Sequence, residues 1–302
     1  MFKKLFAWGG VAMLLFQGSP ALPDSVADCT QESDAPLAVR ACTAVIRSGD
    51  WAESELAWAF QARGWAQYRS GAYSRAIADY DKALDFEPDR HRIYMARAMA
   101  FLRVADNAAA RSDIETYLSL GNSWPYAYTI LGTALRNLGE LEPSLAAFET
   151  ALARNPDDLD ALVGHASTLE HMGQDDRAIA ELTVALSRNP DHYEANVTRG
   201  MAHRKLGNHA EAIADLSRGL ELRPHTALLL KHRAASYARL GNLEAALADW
   251  EAEIDALGAE RVQAWQEWAR DRGGHYLGPI DGIYDHEVRD AILRCAKDPA
   301  CF

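Results

Sequence analysis

The chain has 302 residues, of which 49% are hydrophobic and 25% are charged, a balance typical of a folded protein in water. Its formal net charge is −12, which excludes a protein that tracks the phosphates of a nucleic acid.

Residues 1–21 have the pattern of a secretory signal peptide. Lys3 and Lys4 precede an apolar run over residues 5–16, and small residues follow up to Ala21. The alternative is a membrane anchor, but the run is shorter than the ~20 apolar residues that a spanning helix needs. We therefore predict cleavage after Ala21, a periplasmic location, and no membrane span in the mature chain.

The four cysteines form two local pairs, one near each end of the mature chain. In an oxidising compartment this spacing predicts the disulfides Cys29–Cys42 and Cys295–Cys301. A metal site is the alternative, which the absence of a C-x-x-C motif disfavours. We expect residues 22–56 to form an N-terminal cap, with a helix over 35–48 that the first disulfide holds in place.

A repeat of 34 residues dominates the middle of the chain, where it predicts six copies over residues 57–260. One offset carries only small residues, which let two helices approach closely, and another carries large apolar ones. A glycine ends the first helix of most copies. The small positions are Gly64, Ala98, Gly132, Ala166, Gly200 and Ala234, and the large ones are Tyr80, Ile114, Phe148, Leu182, Leu216 and Trp250.

The fourth copy illustrates the helix pair. We predict helices over 159–172 and 175–188, separated by Gly173. Asp191 is expected to cap the next helix, with Glu194 at the capping-box spacing. The second copy departs from the pattern, because Ala105 replaces the glycine and Asn122 replaces the proline.

This pattern resembles the tetratricopeptide repeat family. The likeness is carried by AWAFQARG at 57–64, followed by Gly71, Ala76, Tyr80, Ala83 and Pro88. The resemblance implies an all-α fold, a right-handed α-α superhelix, in which first helices line a concave groove. It also implies a non-enzymatic scaffold that binds a protein or peptide.

The family's groove offsets give the candidate partner-binding residues. The N-terminal part is rich in aromatic residues and Met, which suits apolar side chains of a partner. The basic row Arg69, Arg103, His171, Lys205 and Arg239 favours an acidic segment, but cations in the last turn of a helix also simply stabilise that helix. The candidates are Trp58, Trp65, Tyr68, Arg69, Arg92, Met95, Met99, Arg103, Tyr126, Arg136, His171, Met201, Arg204, Lys205, Lys231 and Arg239.

The family's Lys and Asn clamp for a carboxylate is not predicted, because only Lys231 matches its offsets.

Residues 261–302 break the repeat pattern. The run GPIDGIY at 278–284 resembles the hallmark of the small helical peptidoglycan-binding domain. We expect a helix, a Gly-rich turn, an Asp-Gly turn with a positive φ at Gly282, and a second helix. The likeness implies the alternative function of binding peptidoglycan through this segment.

No catalytic motif occurs in the sequence, so we predict neither an enzyme nor a cofactor. Two pairs of histidines could be considered as metal ligands, His203 with His209 and His225 with His232, but neither pair has a third ligand at helical spacing. We therefore predict no metal site.

Overall fold

A computed structural model describes residues 25–297. Every regular element in that range is helical, and no strand occurs there, which confirms the predicted all-α class. Residues 1–24 and 298–302, which include the predicted signal peptide and Cys301, lie outside the described residues.

The helices fall into two compact units that divide after Gly121. Unit 1 contains α1 (Ser25–Thr30), α2 (Ala35–Arg47), a short 3₁₀ helix (Glu53–Glu55), α3 (Ala57–Arg69), α4 (Tyr73–Phe86), α5 (His91–Arg103) and α6 (Asn107–Ser119). Unit 2 contains α7 (Pro125–Asn137), α8 (Leu141–Arg154), α9 (Leu159–His171), α10 (Asp175–Arg188), α11 (Tyr193–Lys205), α12 (His209–Leu222), α13 (Ala227–Arg239), α14 (Leu243–Leu257), α15 (Ala259–Gly273) and α16 (His286–Lys297).

The interior of each repeat is built from the small and large offsets that the sequence predicts. All six large residues are at most 2% exposed. A Cβ placed on Gly64 would lie 2.8 Å from the Tyr80 ring, and one on Gly132 would lie 2.9 Å from the Phe148 ring. The small residues are therefore required for the helices of a pair to approach each other.

The N-terminal cap contains the predicted Cys29–Cys42 disulfide. α2 ends at Arg47, one residue before the predicted end, and buries Ala41 and Val45 against the first repeat. Cys29 itself lies on the short helix α1. The predicted partner of Cys295, Cys301, lies outside the described residues, so the second disulfide stays a prediction.

Two local predictions in unit 2 need correction. α9 ends at His171, one residue early, and Gly173 follows at φ +73° as expected. The cap of α11 is His192 and not Asp191, because α11 begins at Tyr193 and His192 Nδ1 accepts from the Ala195 amide at 3.2 Å. Asp191 instead accepts hydrogen bonds from Arg218.

The segment after the sixth repeat has the predicted helix–turn–helix order, with Gly282 at φ +75°. It shares one hydrophobic core with that repeat, since Trp250 and Ile254 cluster with Trp265, Tyr276 and Ile292. Residues 259–297 therefore cover the end of the repeat array, whose apolar face would otherwise be exposed.

Within residues 25–297, no helix combines the length and apolar character that crossing a membrane requires.

Candidate partner-binding faces

In each unit, the first helix of one repeat contacts the first helix of the next. The contacts are α3 with α5 in unit 1, and α7 with α9, α9 with α11 and α11 with α13 in unit 2. We call the surface that these helices form the first-helix face of the unit. The candidate residues all lie on these helices, in two groups, Trp58 to Arg103 in unit 1 and Tyr126 to Arg239 in unit 2.

The first-helix face of unit 1 carries an aromatic cluster. Trp65 stacks on Tyr68 with ring centroids 5.5 Å apart and planes inclined by 6°. Tyr68 meets the edge of Tyr73 at 5.4 Å, and the Arg103 guanidinium lies 5.1 Å from the centre of the Tyr73 ring. Burial raises the pKa of Tyr68, so its hydroxyl remains a neutral donor at neutral pH.

Two candidates of unit 1 contact the N-terminal cap. Trp58 meets Trp51 edge-on at 5.5 Å and packs against the disulfide Cys29–Cys42. Arg69 donates from Nη1 to the carbonyl oxygen of Glu32. Both side chains therefore attach the cap to the first repeat.

The three remaining candidates of unit 1 lie on α5. Met95 and Met99 are half-buried, and Arg92 is exposed.

The basic row carries less free charge than the sequence suggests. In unit 2, Lys205 pairs with the buried carboxylates of Glu170 and Asp175 and also donates to the Glu170 carbonyl oxygen at 3.0 Å. His171 forms a 2.7 Å hydrogen bond with the Ser167 carbonyl oxygen. Arg239, also in the last turn of its helix, is exposed.

Arg136 joins two repeats of unit 2 that are not consecutive. Its side chain is 12% exposed and lies 3.2 Å from the Glu194 carboxylate. Nη1 of the same guanidinium is buried and finds no acceptor among the described residues. Tyr126 and Met201 are half-buried.

Arg204 and Lys231 lie beside His232 near the end of the array. Burial, followed by the positive charges of Arg204 and Lys231, lowers the pKa of His232 to about 4. The imidazole is therefore neutral at neutral pH, and this part of the face has a positive potential.

A periodic set of ion pairs was missed at the sequence level. In four repeats an arginine on the first helix holds an aspartate on the second helix through two hydrogen bonds of 2.6–2.8 Å. In the fourth repeat, His165 and Glu181 occupy the positions of the arginine and the aspartate, with 2.7 Å between His165 Nδ1 and Glu181 Oε2. The recurrence of Arg and Asp at fixed offsets was the signal that could have revealed Arg63–Asp79, Arg97–Asp113, Arg199–Asp215 and Arg233–Asp249.

Within the described part of the chain, no group of three His, Cys, Asp or Glu side chains is placed to hold a metal ion.

A family model described as tetratricopeptide repeat matches residues 62–126, 131–193, 165–225 and 197–261. Among curated proteins, human tetratricopeptide repeat protein 28 is 35% identical over 94 residues, which is 31% of this chain and 4% of that protein. The Hsp70-Hsp90 organizing protein of Triticum aestivum is 29% identical over 98 residues, which is 32% of this chain and 17% of that protein. This chain thus matches less than a fifth of the length of either relative.

Solved structures share the fold. A tetratricopeptide repeat protein from Parabacteroides merdae superposes with a TM-score of 0.61 at 20% identity, covering 88% of this chain and 93% of that one. The hetero-tetramer Cut9-Hcn1 of the APC/C gives a TM-score of 0.62 at 18% identity, over 73% of this chain and 46% of that one.

Proposed function

This chain belongs to the tetratricopeptide repeat family, and on that premise we propose that it is an adaptor that binds a protein or peptide through its first-helix faces. The observation that carries the proposal is the cluster of Trp65, Tyr68 and Tyr73, which are half-buried, with the cation of Arg103 against it. By contrast, Tyr80, Phe148 and Trp250, the aromatic residues at the large offset of the repeat, are at most 2% exposed. Aromatic and arginine side chains dominate the binding energy of protein interfaces.

The cluster determines the partner chemistry that we propose. Trp65 offers a ring surface to an apolar side chain, and Arg103 offers a charge to a neighbouring carboxylate. The partner is therefore a segment that carries an apolar side chain near an acidic one. The proposal assigns no catalytic role to the chain.

The test is quantitative affinity purification from cells with the full-length chain and a Trp65→Ala, Arg103→Glu double variant. Proteins that bind the cluster are expected to be depleted at least about tenfold with the double variant. The matched control is Leu120→Ala with Arg111→Glu, which changes a residue that is 45% exposed just after the second helix α6 and a side chain that is 38% exposed on that helix. Equal recovery of every partner with all three proteins would contradict the proposal.

We also propose that the chain acts in the periplasm. The disulfide Cys29–Cys42 supports this location, because disulfides form and persist in oxidising compartments. Mass spectrometry of the protein from fractionated cells should find an N-terminus at Leu22 in the periplasmic fraction. Recovery of a chain that retains residues 1–21 from the cytoplasmic fraction would contradict it.

A second candidate function is peptidoglycan binding through the loop between α15 and α16. Leu277 is 90% exposed and Ile283 is 61% exposed on a loop that buried Gln266 holds in place. Both side chains are therefore available to contact a ligand.

The test is co-sedimentation of the full-length chain with purified peptidoglycan. We expect Leu277→Asp with Ile283→Asp to abolish co-sedimentation, and Leu257→Asp, a similar change on an exposed leucine outside the loop, to preserve it. If the unaltered chain stays in the supernatant, this second function is wrong.

A further inference from the structure

A cavity of about 360 Å³ lies in unit 2 between the first helices of the last two repeats and α15. Its volume falls within the range of ~300–1,000 Å³ that is usual for small-molecule sites. The cavity has two kinds of wall, one aromatic and one cationic.

The aromatic wall consists of three tryptophans. Trp250 meets Trp265 edge-on with centroids 5.4 Å apart, and Trp265 meets Trp268 edge-on at 4.8 Å. Ala235 and Ala264 also line the cavity. Of the three indoles, Trp268 is half-buried, whereas Trp250 and Trp265 are 2% and 7% exposed. Such a wall favours a flat apolar group.

The cationic wall consists of Arg204, Lys231 and Arg261. Arg261 is paired with the buried Glu253 carboxylate at 2.9 Å, so its charge is compensated. For Arg204 and Lys231 the structure gives no ion pair within residues 25–297. The wall therefore carries an excess of positive charge, which adds to the effect of burial in lowering the pKa of the neighbouring His232 imidazole.

Three buried donors of these walls have no acceptor among the described residues. They are Nε–H of Arg204, Nε–H of Arg261 and Nε1–H of Trp265, and Trp265 is 7% exposed. A buried N–H without an acceptor destabilises a folded protein. All three residues line the cavity, so an anion with several acceptor oxygens bound there can satisfy these donors once their side chains turn towards it.

We propose that this cavity binds an organic anion, a carboxylate or a similar oxyanion carried on a flat apolar ring. The ring packs against the half-buried Trp268, and the oxyanion accepts from Arg204 and Lys231. This site concerns a compact ligand and is independent of the aromatic cluster of unit 1. The same chemistry is presented by a free aromatic acid and by an aromatic residue at the C-terminus of a peptide.

The test is isothermal titration calorimetry of the full-length chain with 1-naphthaleneacetate and with 1-naphthaleneacetamide, which differs only in lacking the charge. We expect the anion to bind and the amide to bind at least about tenfold more weakly. N-acetyl-tryptophan, titrated beside them, separates the two sources: comparable affinity assigns the site to peptide ends, and absent binding assigns it to free acids.

Substitutions in the cavity test which side chains bind the anion. Arg204→Gln is expected to weaken naphthaleneacetate at least about tenfold, whereas Arg177→Gln, the same change on the exposed face of α10, leaves the affinity unaltered. Lys231→Gln, at an exposed position, provides a second variant should Arg204→Gln lower the melting temperature. The proposal is overturned if the anion binds no tighter than the amide, or if both cavity variants bind like the unaltered chain.

Discussion

Arg199 on α11 and Asp215 on α12 form a two-pronged ion pair, with Nε–Oδ2 and Nη2–Oδ1 distances of 2.8 and 2.7 Å. The Asp215 side chain is only 8% exposed, so this arginine takes the place of water as the partner of its carboxylate. The third repeat has Leu131 and Ala147 at the equivalent positions. Equivalent positions of the repeat are therefore filled by an ion pair in one copy and by two apolar side chains in another.

This comparison predicts how the pair responds to substitution. Arg199→Leu alone should lower the free energy of unfolding by about 3 kcal/mol, because it leaves a buried carboxylate without a partner. Arg199→Leu together with Asp215→Ala, which reproduces the third repeat, should restore it to within about 1 kcal/mol of the unaltered chain. Urea unfolding of the three proteins measures both differences. A double variant as unstable as the single one would show that the pair itself stabilises the repeat.

Ala105 provides a prediction about backbone strain. It adopts φ +60° at the turn where other repeats have glycine, such as Gly71 at φ +76°. An L-residue in this region costs about 1–2 kcal/mol, part of which the greater freedom of unfolded glycine offsets. Ala105→Gly should therefore raise the free energy of unfolding by about 0.5–1 kcal/mol.

Gly71→Ala is the matched reverse change, and nothing lies within 4 Å of the Cβ it would add. It should destabilise the protein by about 1 kcal/mol through the backbone alone. Thermal unfolding measures the stability change in both variants. A lower melting temperature for Ala105→Gly than for the unaltered chain would be inconsistent with strain at Ala105.

His232 makes stability depend on pH. The pKa of its imidazole is about 4 in the folded chain and ~6.5 in an unfolded chain. Between these values the unfolded chain binds the extra proton, so stability is lost as the pH falls from about 6.5 towards 4.

His232→Gln removes that titration. Urea midpoints at pH 7 and pH 5 should differ less for His232→Gln than for the unaltered chain. The exposed His286→Gln variant should keep the full difference. A loss between pH 7 and pH 5 that is the same in His232→Gln as in the unaltered chain would refute this explanation.

Gln266 organises the C-terminal loop. Its side chain is fully buried, donates to the Asp281 carboxylate at 2.9 Å, and accepts from the amides of Asp281 and Gly282 at 3.1 and 3.0 Å. Gln266→Leu should leave those amides unsatisfied and speed their hydrogen exchange. Amides of α12 serve as the internal reference. Unchanged exchange at residues 281 and 282 would show that the loop holds its conformation without Gln266.

The fold was predictable because the residue types that determine helix packing recur at a fixed period in the sequence. Small residues such as Gly132 and large ones such as Phe148 recur every 34 positions, and each pair meets within a single repeat. The cap of α11 was misassigned because Asp191 and His192 can both accept from an N-terminal amide, and the start of the helix decides between them.

The site was only partly predictable. Tyr68 and Arg103 were identified by their offsets, but Tyr73, which lies between them, belongs to a second helix that the groove offsets leave out. The cavity at Arg204 requires Trp265 and Trp268 from α15, and nothing in the repeat pattern specifies where that helix packs. Contacts between non-equivalent segments carry no periodic signal in a single sequence.

The most direct measurement of the adaptor role is site-specific photo-crosslinking in living cells. The full-length chain carries p-benzoylphenylalanine in place of Met99 on the first-helix face of unit 1, or in place of Glu115, which is exposed on α6. We expect discrete adducts from position 99 that disappear with Trp65→Ala and Arg103→Glu, and none of those adducts from position 115. Identical adducts from both positions, or adducts from position 115 alone, would contradict binding through the first-helix face.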